Sequence, residues 1–212
     1  MLDLVLPLEC GGCGAPMTRW CATCAAALTV GVDEPHVINP RLDPGVPVFV
    51  LGRHAGARRR AIVALKERGR ADLITPLARP LAIGIHRLLT WGVLDVPLTL
   101  VPAPTRRIAA RRRGGDPVTR LATAAVAAHP KISVTSALRL KNSAKDSVGL
   151  SSGDRQHNLA GRVHLISSNI PSDADVVVID DIVTTGATAC ESVRVLAEAG
   201  IRVAGVLALA HA

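Results

Sequence analysis

Four consecutive apolar residues, Val176-Val177-Val178-Ile179, run directly into Asp180-Asp181, and the chain continues Ile182-Val183-Thr184-Thr185-Gly186-Ala187-Thr188. An unbroken apolar run without alternation fits a strand covered on both faces, the condition of an inner strand in a parallel sheet. Two carboxylates at its carboxyl end then face the crevice where open α/β sheets take their ligands. Gly186 lets the backbone approach an anion, and a helix opening after it aims free N–H groups at the same place. Hydroxyls on Thr184, Thr185 and Thr188 add donors. The stretch predicts a phosphate on the 184–188 loop, with Asp180 and Asp181 holding vicinal hydroxyls a few ångströms away. An ordinary strand–turn–helix with solvated carboxylates is the plainer alternative. The apolar run before the pair and the hydroxyl-rich loop after it weigh against that.

The rest of the chain supports an α/β architecture. Residues 46–51 are β-branched and apolar and predict a strand. Residues 58–68 place Ile62 and Leu65 on one side of an amphipathic helix. Thr75-Pro76 reads as an N-cap followed by proline at the first helical position, with Leu77, Leu81, Ile85 and Leu88 inward and a kink expected at Pro80. Residues 97–101 predict a short buried strand. Asp116-Pro117 repeats the cap-then-proline signal before Val118, Leu121 and Ala125. The periodicity after Ala187 predicts a helix with Ala189, Val193, Leu196, Ala197 and Gly200 inward, and residues 202–209 a last strand. Residues 141–161 are polar and aperiodic, a long loop of the kind that is usually functional. Strands alternating with helices imply a mostly parallel sheet flanked by helices.

Composition narrows the function classes. The 212 residues carry a formal charge of +8, which favours anionic ligands such as phosphates, pyrophosphate or nucleic acid. Arginines cluster at Arg58-Arg59-Arg60, Arg106-Arg107 and Arg111-Arg112-Arg113; a solvated basic surface is the bland account of each. Phe49, Trp20 and Trp91 are the aromatic residues, and tyrosine is absent. That weighs against holding single strands by stacking bases on rings. No apolar run approaches the ~20 residues of a membrane span, and the start of the chain lacks a basic n-region. A cytoplasmic protein is expected.

Cys10-Gly11-Gly12-Cys13 and Cys21-Ala22-Thr23-Cys24 form two C-x-x-C pairs separated by a short loop. Each pair chelates through two near thiolates, and four thiolates complete a tetrahedral zinc site. Disulfides and a redox dithiol are the alternatives; two close copies without a secretory signal favour structural zinc. Cys190 reads as a small buried residue. The expected organisation is a cysteine knuckle over residues 1–30, a Pro- and Gly-rich linker over 31–45, and an α/β domain over 46–212.

The stretch from Val176 to Thr188 resembles the ribosyl-phosphate signature of type I phosphoribosyltransferases. The resemblance implies that Asp180 and Asp181 bind the ribose 2′ and 3′ hydroxyls. It implies that Thr184, Thr185, Gly186, Ala187 and Thr188 hold the 5′-phosphate, and that magnesium arrives with phosphoribosyl pyrophosphate. With the cysteine knuckle ahead of it, the whole chain resembles the ComF family, the amidophosphoribosyltransferase-like proteins. Ile62-Val63-Ala64-Leu65-Lys66-Glu67-Arg68-Gly69, Val101-Pro102-Ala103-Pro104, Arg113-Gly114, Gly149-Leu150-Ser151, Arg155 and Asn158 fall in that family's order. By this resemblance Ala103, Arg106 and Arg107 bind pyrophosphate, with Lys66 assisting. Gly115-Asp116-Pro117 and Ser147 depart from the family's amide-bearing residues, so binding is better supported than turnover.

Two functions follow as expectations. One is transfer of the 5-phosphoribosyl group from its pyrophosphate to a nitrogen acceptor. The other is a non-catalytic module that binds phosphoribosyl pyrophosphate or a nucleotide. Its knuckle and basic surface would meet single-stranded DNA or a DNA-handling protein, in keeping with the family's association with competence and DNA uptake. The acceptor and the oligomeric state are not encoded in any motif.

Overall fold

The computed structural model describes residues 8–104, 115–141 and 161–212. A six-stranded sheet organises them, in the order β1-β2-β8-β7-β3-β4. Its strands are β1 (His36–Ile38), β2 (Val48–Val50), β3 (Leu98–Pro102), β4 (Ile132–Val134), β7 (Asp175–Val183) and β8 (Val203–His211). Every neighbouring pair is parallel except the antiparallel edge pair β1–β2. A separate antiparallel hairpin joins β5 (Leu138–Leu140) to β6 (Val163–Leu165). The α/β class with a mostly parallel sheet is therefore as expected.

Alternate residues of β7 build two cores, as the two-residue period of a strand requires. Val177 and Ile179 join the layer formed by α2 (Gly56–Arg68), α3 (Ile74–Thr90) and α4 (Pro117–Val126). Val176 and Val178 join the opposite layer, formed by α5 (Ala187–Glu198) and the β5–β6 hairpin. The helices thus cover both faces, which is why the inner strands read as continuous apolar runs.

Topology also locates the crevice. From β3 the chain crosses through α4 to β4 on one side, whereas from β7 it crosses through α5 to β8 on the other. β3 and β7 are neighbours, so the direction of winding reverses between them. At such a switch point the loops leave in opposite directions and open a cleft beyond the carboxyl ends.

Local signals were mostly obeyed. Asp116 caps α4, accepting a hydrogen bond from the Thr119 N–H at 3.1 Å. Gly69, with φ 65°, ends α2 in the left-handed conformation that glycine adopts without a Cβ penalty. Thr75 does not cap α3: the helix begins at Ile74, continuing from a 3-10 turn over Ala71–Leu73. Leu77, Leu81, Ile85 and Leu88 are buried as the period requires, and the helix runs on through Pro80. On α5, Ala197 and Gly200 are exposed, and Ser192 and Val195 take the inward places. Gly200 lies beyond the helix, which ends at Glu198.

At the amino end, α1 (Ala22–Ala27) starts within the second cysteine pair, with Cys21 as its N-cap and Cys24 in its first turn, and the preceding residues are bonded to α2. Arg60 Nε donates to the Gly12 carbonyl, and Arg70 donates to the Glu9 carbonyl at 3.0 Å. A Cβ on Gly11 would lie 2.5 Å from the Leu73 side chain, so a larger residue there would have to displace that buried leucine. No helix among the described residues is long and apolar enough to cross a membrane.

Candidate functional site

β7 is longer than its apolar run. Asp180 and Asp181 lie within the strand, and it continues through Ile182 to Val183 before the loop begins. Residues 176–179 hold the strand in the sheet centre, so the pair is carried on a rigid element. Asp181 is 3 % exposed. It survives burial because Lys66, on the last turn of α2, reaches it: Nζ lies 2.9 Å from one carboxylate oxygen and 3.1 Å from the other. Lys66 is therefore the partner of the acidic pair and not a solvated helix lysine. Burial alone would pull its ammonium down, but Asp181, with Asp180 and Glu67, outweighs that and holds it above its ordinary value.

Asp180 keeps some solvent contact and turns back so that its Oδ1 accepts the Asp181 N–H at 2.8 Å. Burial and the adjacent Asp181 carboxylate push its own pKa well above the usual carboxylate range. Two neighbouring carboxylates with one lysine form a site short of positive charge and rich in acceptors. Sugar hydroxyls, which donate, match that need.

The 184–188 loop follows. Gly186 is the N-cap of α5 at φ 87°, and no side chain caps the helix. Thr185 Oγ1 accepts from the Ala187 N–H at 3.4 Å, a weak contact. The helix N-terminus keeps donors for an anion, and its dipole favours negative charge there. Across the switch point, Ala103 is buried and its N–H donates to the Ile179 carbonyl at 2.7 Å. Ala103 thereby stands beside the strand that carries the acidic pair. Arg106 and Arg107, Arg111 to Arg113, Ser147 and residues 149–158 lie outside the described residues.

Sequence reasoning missed His54, at the turn between β2 and α2. Its N–H donates to the His211 carbonyl at 2.7 Å, and its buried Nε2 has no partner among the described residues. Burial lowers its pKa; Arg59 and Lys66 push the same way and Asp181 opposes them. A lone histidine between Arg53 and Ala55 carries no pattern that would have revealed this. The Arg58-Arg59-Arg60 cluster is not solvated throughout. Arg58 is 9 % exposed and donates to the carbonyls of Leu51 and Leu209, and Arg60 is tied to Gly12. Arg59 and Arg60 both stay exposed, Arg60 while bonded to the knuckle. A cleft of about 350 Å³ is lined by Thr29, Glu34, Arg53 and Arg58, and neither Asp180 nor Asp181 is among its lining residues.

The four cysteines come together as their spacing predicts. Their Sγ atoms all lie within 4.8 Å of one another, and Cys13 and Cys21 are 3.6 Å apart. Zinc–thiolate bonds of ~2.3 Å in a tetrahedron require S···S edges of about 3.8 Å, so the cage is the right size. All four thiols are free, which excludes the disulfide alternative in this structure. The Cys21 N–H points at Cys10 Sγ at 3.4 Å. Burial opposes ionisation of Cys10, but N–H groups of Cys13, Cys21 and Gly12 bring it down to about 6. Burial and its three neighbouring thiols push Cys24 upward. A divalent cation removes the repulsion among the four, so the donor set fits structural zinc. Cys190 is half-buried in the first turn of α5 and takes no part in the cluster.

No family model and no curated protein matches the chain. Among solved structures, a hypoxanthine phosphoribosyltransferase from Staphylococcus aureus is similar at a TM-score of 0.33 and 17% identity, over 65% of this chain and 61% of that one. The chain spans about three-fifths of that protein's length. A likeness this loose carries no weight beside the topology and the site.

Proposed function

We propose that this chain binds a 5-phosphoribosyl group, as phosphoribosyl pyrophosphate or a ribose 5-phosphate moiety, in the crevice between β3 and β7. The single observation that carries the reading is the juxtaposition at the switch point. A buried, lysine-paired Asp181 and a half-buried Asp180 stand on the strand that leads, through residues 182–185, to a helix N-terminus with glycine as its N-cap. A ribose 5-phosphate has the matching polarity, with vicinal donors at one end and a dianion at the other. Asp180 meets the hydroxyls first, because Asp181 is almost wholly buried and is held by Lys66. The 184–188 loop takes the phosphate through its N–H and hydroxyl groups.

On the same reading Ala103, Arg106 and Arg107 receive pyrophosphate, and magnesium enters with that substrate, leaving little signature in the protein. In the enzymatic form, the pyrophosphate leaves an oxocarbenium-like ribose carbon and a nitrogen acceptor attacks it. The protein's part is to stabilise the departing charge and exclude water. Zinc in the knuckle of residues 1–30 serves structure, residues 46–212 form the binding domain, and free thiols suit the reducing cytoplasm. The DNA-handling alternative rests on the family resemblance and the net charge, and burial of Arg58 removes one arginine from the basic surface.

The test is thermal stabilisation by phosphoribosyl pyrophosphate with magnesium. Wild type should be stabilised, and Asp180→Asn and Asp181→Asn should not. Pyrophosphate release on adding a nucleobase would establish turnover. Salt-dependent DNA binding without any response to the ribosyl ligand would overturn the reading in favour of the module.

A further inference from the structure

Residues 39–45, between β1 and β2, swing out to the phosphate loop. The Leu42 N–H donates to the Thr185 carbonyl at 2.8 Å. The Leu42 carbonyl and the Pro40 ring close over Gly186: a Cβ there would lie 2.4 Å from the Leu42 oxygen and 2.9 Å from Pro40 Cβ. Asp43 comes near enough to Cys190, in the first turn of α5, to raise its thiol pKa, after burial. Its carboxylate is engaged by the Gly45 N–H at 2.8 Å.

We propose that residues 40–42 are a positioning clamp that aims the phosphate loop at its ligand. The inference rests on the phosphoribosyl reading and deepens it. In a trans peptide the C=O and N–H point in opposite directions. Because the Thr185 carbonyl is held by Leu42, the N–H of the same peptide, on Gly186, points away from the clamp. Gly186 is buried, and its N–H has no hydrogen-bond partner among the described residues. An N–H at a helix N-terminus that is turned away from the clamp is placed to donate to an anion; a phosphate oxygen in the loop is the matching acceptor. The clamp also explains why position 186 takes glycine for two independent reasons, its φ of 87° and the absence of room for a side chain. Without the clamp the 185–186 peptide is free to rotate, and its carbonyl can turn toward the anion.

The experiment measures ribose 5-phosphate affinity by calorimetry in wild type, Leu42→Pro and Leu42→Ala, with amide exchange followed on the wild-type protein. Leu42→Pro removes the clamp's donor and should weaken binding about tenfold, the effect of one misaligned hydrogen bond to a charged group. Leu42→Ala keeps the donor and should bind within about twofold of wild type. In wild type, the Leu42 amide should be protected with or without ligand, and the Gly186 amide should gain protection only on binding. A folded Leu42→Pro with wild-type affinity overturns the clamp. So does a Leu42 amide that exchanges as in a free chain, which keeps the proposal testable if Leu42→Pro does not fold. No binding by wild type would overturn the phosphoribosyl reading and the clamp's purpose with it.

Discussion

The two ends of the Lys66–Asp181 pair should not be equivalent, and the structure says which end matters. At 2.9 Å and an effective dielectric of about 20, the gross attraction is about 6 kcal/mol. Desolvation of the buried carboxylate cancels much of it, so the pair's net worth is small while the cost of breaking it is not. The Asp181 side chain is 4 % exposed and that of Lys66 33 %. Lys66→Met would leave Asp181 charged, buried and beside Asp180, at a cost of about 3 kcal/mol. Asp181→Asn leaves an ammonium that can turn to water and removes the repulsion on Asp180, so about 1 kcal/mol or less is expected. At roughly 2–4 °C per kcal/mol for a chain of this size, the melting temperature should fall about 6–12 °C for Lys66→Met and about 4 °C at most for Asp181→Asn. The pH dependence follows from the raised pKa of Asp180, caused by burial and Asp181. A carboxyl with a raised folded-state pKa favours the fold at low pH and loses that contribution as pH rises through its folded value. Without Lys66 that loss deepens, so the deficit of Lys66→Met should shrink as pH falls toward the ordinary carboxylate range. Equal losses for both variants at neutral pH, or a deficit independent of pH, would refute the reasoning.

Other outcomes follow from the same geometry. Arg58→Leu orphans the Leu51 and Leu209 carbonyls and should cost about 2–4 kcal/mol by urea denaturation, whereas Arg59→Gln should stay within about 0.5 kcal/mol of wild type. Purified protein should carry a single equivalent of zinc by metal analysis. Cys24→Ser or a strong chelator should remove it and lower the melting temperature. His54 is held below its ordinary value of 6.5 by burial, Arg59 and Lys66 against Asp181, and His211 by burial, His36 and Arg53. A depressed folded-state pKa gives stability that is present above the unfolded value and lost as pH falls through the folded one. The histidine contribution should therefore be lost as pH goes below 6.5, against the opposite trend of Asp180, so His54→Asn should lose less melting temperature than wild type between pH 7 and pH 5.

What the sequence disclosed were features that local chemistry dictates. An unbroken valine–isoleucine run can only be satisfied between two covered faces, and β7 is so placed. Asp116-Pro117 is a cap because the carboxylate and the fixed proline φ each suit a helix start. Two C-x-x-C pairs bring four thiols together because so short a loop leaves them little choice. Other features depend on contacts between distant segments. β1 was hidden in a Pro-rich stretch because His36–Ile38 becomes a strand by pairing with β2, not by propensity. Arg58 and Arg60 look like any surface arginines until carbonyls from β8 and the knuckle meet them. Lys66 stands 115 positions from Asp181, a pairing that spacing alone does not encode. The same holds for the 40–42 contact over Gly186: the loop's own residues reveal a turn that needs glycine, but not what leans on it.

The central claim is that one crevice recognises a sugar and its phosphate together. Calorimetric titration of wild type with ribose 5-phosphate, ribose and inorganic phosphate, under identical salt and pH, tests it most directly. Ribose 5-phosphate should bind more tightly than either half, and Asp180→Asn should lower its affinity to that of inorganic phosphate alone. Equal affinity for ribose 5-phosphate and inorganic phosphate in wild type, or no binding of either, would contradict the account.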